Sequence, residues 1–166
     1  MNISIRPESN DDKLHIEHVV RSAFDNREEE PRLVSLIRER KQILISLVAV
    51  VDARIVGHVM VTPITIDKSD GFGAIAPLSV APDQQKTGIG STLMEAAITE
   101  SKALGLKALF LLGSPQYYPR FGFKASHIGN EYGATDAFMH LELVPGTLHG
   151  RTGTAQYVSA FNEVGA

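Results

Sequence analysis

The chain is 166 residues long, enough for one well-filled core and too short to call for two, so a single domain over residues 1–166 is expected. Its 16 Lys and Arg against 19 Asp and Glu give a formal charge of −3 with no basic block, which argues against a nucleic-acid partner. The absence of cysteine removes disulfide frameworks, thiolate nucleophiles, enzyme-bound thioesters and cysteine-based zinc sites together.

The N-terminus, Met1-Asn2-Ile3-Ser4-Ile5-Arg6-Pro7, has no basic region followed by an apolar signal core. The longest apolar run, residues 43–51, contains Ser46 and is too short to cross a bilayer, so a cytoplasmic protein with no membrane partner is expected. Residues 2–6 alternate polar and apolar and read as a short strand ended by Pro7. Ser9-Asn10-Asp11-Asp12 supplies cap chemistry for an amphipathic helix over residues 14–24, built on Leu14, Val19, Val20, Ala23 and Phe24. After a break at Asp25-Asn26-Arg27, Glu28-Glu29-Glu30 and Pro31 open a second helix that carries Leu33, Val34, Leu36 and Ile37. The triple glutamate is first of all a complement to the helix dipole.

Residues 43–51 and 54–66 form a hairpin about the two-residue turn Asp52-Ala53, with Gly57 and Pro63 suggesting a bulge and an interruption in the second strand. Asp67 to Gly71 is a turn cluster, and residues 72–80 complete an antiparallel meander. A helix follows Gly88, with Ile89, Leu93, Ala96 and Ala97 on one face and Gly105 past its end. Residues 106–112 read as a buried strand, which makes a βαβ unit with a parallel pair. Beyond Gly113 the chain is rich in Gly, Pro, Tyr and Phe; residues 138–144 read as a strand and residues 157–161 as a short terminal one.

The stretch over residues 76–93 joins an apolar strand end to a Gly-x-Gly loop that opens directly into a helix. Such a junction suits an anion, because the first backbone N–H groups of a helix lack intrahelical partners and point to a positive dipole end. Motif order narrows the anion. A Walker loop needs Gly-Lys-Ser/Thr, whereas Lys86-Thr87 precedes Gly88. A dinucleotide fingerprint needs a third glycine where Leu93 stands and an acidic residue after the next strand, where Gly113-Ser114 are found.

What remains, Gln85-Lys86-Thr87-Gly88-Ile89-Gly90, resembles the Gln/Arg-x-x-Gly-x-Gly/Ala signature of the GCN5-related N-acetyltransferase (GNAT) family. The strand end Leu78-Ser79-Val80-Ala81-Pro82 and the run Gly113-Ser114-Pro115-Gln116-Tyr117-Tyr118-Pro119-Arg120-Phe121-Gly122-Phe123 match that family in order. The latter run resembles a bacterial subgroup usually called YhbS-like.

The resemblance implies an α/β fold with a mixed sheet, an antiparallel meander followed by a βαβ unit whose parallel strands splay. It implies acetyl-CoA as cosubstrate and no metal. Its pyrophosphate would lie on Gln85, Lys86, Thr87, Gly88, Ile89, Gly90 and Ser91, and its pantetheine arm on backbone groups of Leu78, Ser79 and Val80. The expected reaction is direct attack of a primary amine, on a small molecule or a peptide N-terminus, on the thioester. Tyr118 would be the proton donor to departing thiolate, with Tyr117 as the alternative. Glu30 would be the base, not separable from Glu28 and Glu29, with water as a further option. Four scattered histidines, His58, His127, His140 and His149, are alternative bases. Arg120 reads as a surface residue. A non-catalytic acyl-CoA-binding module of the same fold is the competing reading, and a homodimer is compatible with either.

Overall fold

The computed structural model, which describes residues 2–164, assembles these elements into a nine-stranded mixed sheet with helices on both faces. Met1, Gly165 and Ala166, the ends of the span expected to form one domain, lie outside the described residues. In chain order the elements are β1 (Ser4–Pro7), α1 (Lys13–Ala23), α2 (Glu29–Glu39), β2 (Ile45–Val51), β3 (Arg54–Ile66), β4 (Ser69–Val80), α3 (Ile89–Ala103) and β5 (Ala108–Leu112). There follow β6 (Lys124–Ala125), β7 (Gly129–Asn130), β8 (Phe138–Glu142), β9 (Thr154–Tyr157) and α4 (Ser159–Glu163). The main strand order is β1-β2-β3-β4-β5-β8-β6, with β9 joining β3 and β7.

The helices bury stripes at helical spacing: Ile16, Val19 and Val20 in α1, Leu33, Val34 and Ile37 in α2, and Ile89, Leu93, Met94 and Ala97 in α3. Cores lie on both faces of the sheet. One gathers α1, α2 and α4 around Phe72, Phe110 and Phe138; the other gathers α3 around Val59, Val61 and Leu109. Coverage on both sides explains why β2 is a continuous apolar run rather than an alternating one.

The turns Asp52-Ala53 and Asp67-Lys68 both place two successive residues at positive φ (49° and 61°, 45° and 70°), the backbone that matches the twist of a two-residue hairpin. The second is tighter than the cluster read from the sequence, so β4 starts at Ser69. Pro63 does not interrupt β3. Pairing with β2 ends at Val61 and pairing with β9 starts at Ile64, so Pro63 sits in the gap between two neighbours, where no ladder requires its missing N–H. The bulge expected near Gly57 is present as a register shift opposite Ala49 and Val50.

The terminal strand expected over residues 157–161 is a correction: the strand ends at Tyr157 and a helical turn follows from Ser159. Ala160 and Phe161 are buried by that turn beside Tyr157, a three-to-four spacing that serves a helix better than alternation serves a strand. The two-residue strands β6 and β7 and the 3₁₀ turns are too short to leave a periodic signal.

Candidate active site

The site starts from a mismatch in length between two parallel strands. β4 and β5 pair over Phe72–Ala108, Gly73–Leu109 and Ala74–Phe110, after which β4 runs on to Val80 without a strand on its β5 side. A bulge drives them apart. Val59 faces Leu78 and Val61 faces Ile75, so Ala76 and Pro77 together oppose Met60, and the extra residue bends β4 away. The seam therefore opens into a V whose β4 edge offers unpaired backbone groups, the kind of edge along which an extended amide-bearing ligand can lie as an added strand.

A cavity of about 330 Å³ sits in that V. Ile75, Ala76, Pro77 and Leu78 line it from β4, Leu111 and Leu112 from β5, and Tyr118 from the following loop. Phe24, Glu30, Leu33, Tyr132, Tyr157 and Phe161 close it from the face that carries α1, α2 and α4. Two of the residues singled out in the sequence, Tyr118 and Glu30, thus meet in one cavity although 88 positions (118 − 30) separate them.

Tyr118 is placed by Gly113. A Cβ on Gly113 would stand 2.3 Å from Tyr118 Cε2, so only a glycine lets the ring lie against the end of β5. The ring is held edge-on by Tyr117, with centroids 5.0 Å apart, and by Phe123 at 6.2 Å. Burial pushes the Tyr118 phenol above its ordinary pKa, with neighbouring Tyr117 adding to the shift, so it stays protonated through neutral pH.

Glu30 has an unusual balance of partners. Its Oε1 pairs with Arg27 Nη2 at 2.6 Å, while Oε2 is buried without a hydrogen-bond partner among the described residues. The other two glutamates separate from it: Glu28 is bound by Arg21 at 3.0 and 3.1 Å, and Glu29 is exposed.

At the outer end of the V, α3 begins at Gly88, whose φ of +91° is a conformation that L side chains resist, and no side chain caps the helix. The N–H groups of Ile89, Gly90 and Ser91 consequently have no intrahelical acceptor, and the first helical bond runs from Thr92 N to Gly88 O at 3.0 Å. Lys86, Thr87 and Gly88 are exposed, so an anion can reach them. Gln85 braces the loop instead, its Nε2 donating to Val80 O at 3.1 Å, and the Thr87 hydroxyl bonds Gln84 O at 2.5 Å. The Ser79 side chain is fully buried, which leaves its backbone as the part a ligand could meet, while Leu78 and Val80 are half-buried.

The paired tyrosines point to different ends of the site. Tyr117 Oη lies 3.2 Å from Ser91 Oγ at the start of α3, and Arg120 stacks over the Tyr117 ring at 4.1 Å while remaining exposed. Tyr117 does not line the cavity that Tyr118 enters.

The histidines are a correction, since none of them lines this cavity. His58 is fully buried, its Nε2 2.8 Å from Ser46 Oγ, in a polar cluster with Glu8 and Arg38. Burial, with Arg38 nearby, pushes its pKa down to about 4, so it is neutral. His140 is held by Ser126 Oγ at 2.7 Å and packs on His127, and both line a separate depression with His149. Among the described residues no group of three or more potential ligands could hold a metal ion.

Sequence reading missed the aromatic wall. Phe24, Tyr132, Tyr157 and Phe161 come from three distant segments, and the only local signal was the Tyr- and Phe-rich composition of the C-terminal third.

Residues 10–123 match the model of the acetyltransferase (GNAT) family. The chain is 30% identical over 164 residues to the uncharacterized N-acetyltransferase YhbS of Escherichia coli K12, covering 95% of this chain and 98% of that protein. It is 32% identical over 117 residues to the E. coli protein YjhQ, covering 68% of this chain and 65% of YjhQ. The crystal structure of E. coli YhbS in complex with CoA superimposes with a TM-score of 0.93 at 28% identity, covering 98% of this chain and 93% of that one. A GNAT acetyltransferase from Brucella melitensis in complex with acetyl-CoA gives a TM-score of 0.84 at 31% identity, covering 96% and 98%.

Proposed function

The chain belongs to the acetyltransferase (GNAT) family, and from that premise we propose that it is an acetyl-CoA-dependent N-acetyltransferase that modifies a primary amine by direct attack within a ternary complex. The observation that carries the proposal is the split seam: an unpaired β4 edge leads from the open N-terminus of α3 to a cavity holding a buried phenol and a carboxylate. Acetyl-CoA supplies the activated acetyl group. The N–H groups of Ile89, Gly90 and Ser91 would hold its pyrophosphate, with Lys86, Thr87 and Gly88 around it and Gln85 keeping the loop in shape. Backbone groups of Leu78, Ser79 and Val80 would pair with the amides of its arm and polarise the thioester carbonyl.

Glu30 takes a proton from the acceptor ammonium. The neutral amine then forms the N–C bond as the C–S bond breaks, and Tyr118 gives its proton to the leaving sulfur. The surplus proton on the new amide nitrogen returns through water to the Tyr118 oxygen, and Glu30 releases its proton to solvent. A raised phenol pKa keeps that proton available, and a carboxylate with one unpartnered oxygen is free to accept one. Tyr117, tied to Ser91, serves the cofactor loop rather than proton transfer. We place the protein in the cytoplasm.

Thermal unfolding with acetyl-CoA, CoA, NAD and ATP tests the proposal. A ligand at 100 times its Kd stabilises the fold by about 2.7 kcal/mol. The CoA compounds should raise the melting temperature and the others should not; a shift with NAD or ATP alone would overturn it.

A further inference from the structure

The acceptor end of the cavity is more selective than an amine site needs to be. We infer that it is built for a compact monoamine carried on an apolar or aromatic body, rather than for a polyamine, an amino sugar or a lysine within a polypeptide. This rests on the acetyltransfer reading above and narrows its acceptor.

Size is the first argument. At about 330 Å³ the cavity lies at the lower end of the roughly 300–1,000 Å³ range of small-molecule sites, and its β4–β5 part is the proposed place of the thioester. The remaining space holds the amine end of the acceptor and the carbons nearest to it, against the rings.

The wall is the second. On the acceptor side it is made of Phe24, Leu33, Tyr132, Tyr157 and Phe161. Three of the rings form a run, Tyr132 to Tyr157 at 5.6 Å and Tyr157 to Phe161 at 4.8 Å. Such a wall rewards an apolar body and the face-on approach of one ammonium. Its polar atoms are few, and the Tyr132 hydroxyl already donates to Asn162 Oδ1, so a polyhydroxylated body would lose more hydrogen bonds to water than it regained.

Charge is the third. Glu30 is the single carboxylate among the residues lining the cavity, and only its Oε2 lacks a partner. An unsatisfied buried acceptor is costly, and one ammonium donor relieves it. A second cationic centre on the same ligand would lie against the rings, since the next carboxylate, Glu131, does not line the cavity and already accepts from Tyr157 N.

The wall is also fixed before any ligand arrives. Tyr157 N donates to Glu131 Oε1 at 2.9 Å, and Tyr132 Oη donates to Asn162 Oδ1 at 3.1 Å. Arg40 clamps α4 to α2 through Ser159 Oγ at 2.9 Å and an ion pair with Glu163. A preorganised wall discriminates by shape because it does not re-form around poor ligands.

The test is CoA release by the full chain with acetyl-CoA and a panel of acceptors: 2-phenylethylamine and isoamylamine against spermidine, kanamycin and a short lysine peptide. The apolar monoamines should show kcat/KM at least tenfold higher than the others. Phe24→Ser, at a half-buried loop position, should raise KM for 2-phenylethylamine about tenfold and leave KM for acetyl-CoA unchanged. The inference is overturned if spermidine, kanamycin or the peptide is the best acceptor, if Phe24→Ser leaves the preference intact, or if CoA binds and no apolar monoamine is turned over. Failure of the underlying acetyltransfer reading looks different: no thermal shift with CoA and no CoA release with any amine.

Discussion

Gly113→Ala asks whether the position of the Tyr118 ring sets the rate. The added methyl would stand 2.3 Å from Tyr118 Cε2 and 2.8 Å from Cδ2. Carbon atoms pack favourably at about 3.5–4.0 Å, so the ring must retreat by roughly 1 Å. It has little room: Tyr117 and Phe123 lie against it edge-on with centroids at 5.0 and 6.2 Å, and Phe121 at 6.4 Å. Overpacking of this kind costs about 1–3 kcal/mol, a drop of a few degrees in melting temperature that leaves the protein folded. The kinetic cost is larger, because a misplacement of about 1 Å in a reacting group lowers turnover by roughly 100-fold. We expect kcat to fall by that order with KM for acetyl-CoA within about twofold of wild type. Tyr118→Phe, which deletes the proton donor, should lower kcat by about 100-fold or more. Adding Gly113→Ala to it should cost little further, since both act through one hydroxyl. Wild-type turnover in Gly113→Ala would refute the claim that ring position sets the rate, and wild-type turnover in Tyr118→Phe or fully additive losses in the double variant would refute the acid role of Tyr118.

In Gly88→Val the added Cβ meets nothing within 4 Å, but a β-branched residue resists a φ of +91°, so the loop strains or shifts, and the side chain stands where the anion would lie. Calorimetry should show CoA affinity falling at least tenfold; unchanged affinity would mean that the pyrophosphate binds elsewhere. Stability should also decline between pH about 6.5 and 4. The unfolded chain takes up a proton on His58 near pH 6.5, whereas burial delays that uptake in the folded protein to about 4, so acidification favours unfolding by about 3 kcal/mol across the window. His140, pushed down to about 4 by burial with His127 and Lys124 adding, acts in the same direction. Urea titrations over this range check the slope, which should be shallower in His58→Asn; a flat profile for wild type would contradict the burial argument.

Much of the architecture was legible because it is written in local signals. The Asp52-Ala53 turn, the Ser9–Asp12 capping box on the 3₁₀ turn that leads into α1, the stripe of α3 and the Gly88 junction each follow from neighbouring residues, and the family resemblance joined them in order. The cavity was legible only in part. Glu30 and Tyr118 could be named from position, but that they share a space depends on β4 bending at Ala76-Pro77, a two-against-one register that no single strand reveals. The aromatic wall depends on α4, read as a strand because Tyr157, Ala160 and Phe161 are apolar at a spacing too short to fix a period. His58 illustrates the opposite failure. A histidine in an apolar run offers no sequence-level distinction between a base and a buried neutral ring, and only the Ser46, Glu8 and Arg38 cluster decides it.

The split seam has a consequence for how this protein can change over time. On the donor side the features available to a ligand are main-chain atoms, the free edge of β4 and the first N–H groups of α3, which many side chains can present equally well so long as the bend and the glycine survive. On the acceptor side they are side chains at Phe24, Tyr132, Tyr157 and Phe161. With the roles proposed above, substitutions there could exchange one acceptor for another with little effect on the donor, because the two sets of residues lie on separate segments. On the same roles, drift in the loop after α1 and in the C-terminal segment would be the cheap route to a new specificity, whereas in residues 76–91 only changes that remove the Ala76-Pro77 bend or Gly88 would cost cofactor binding.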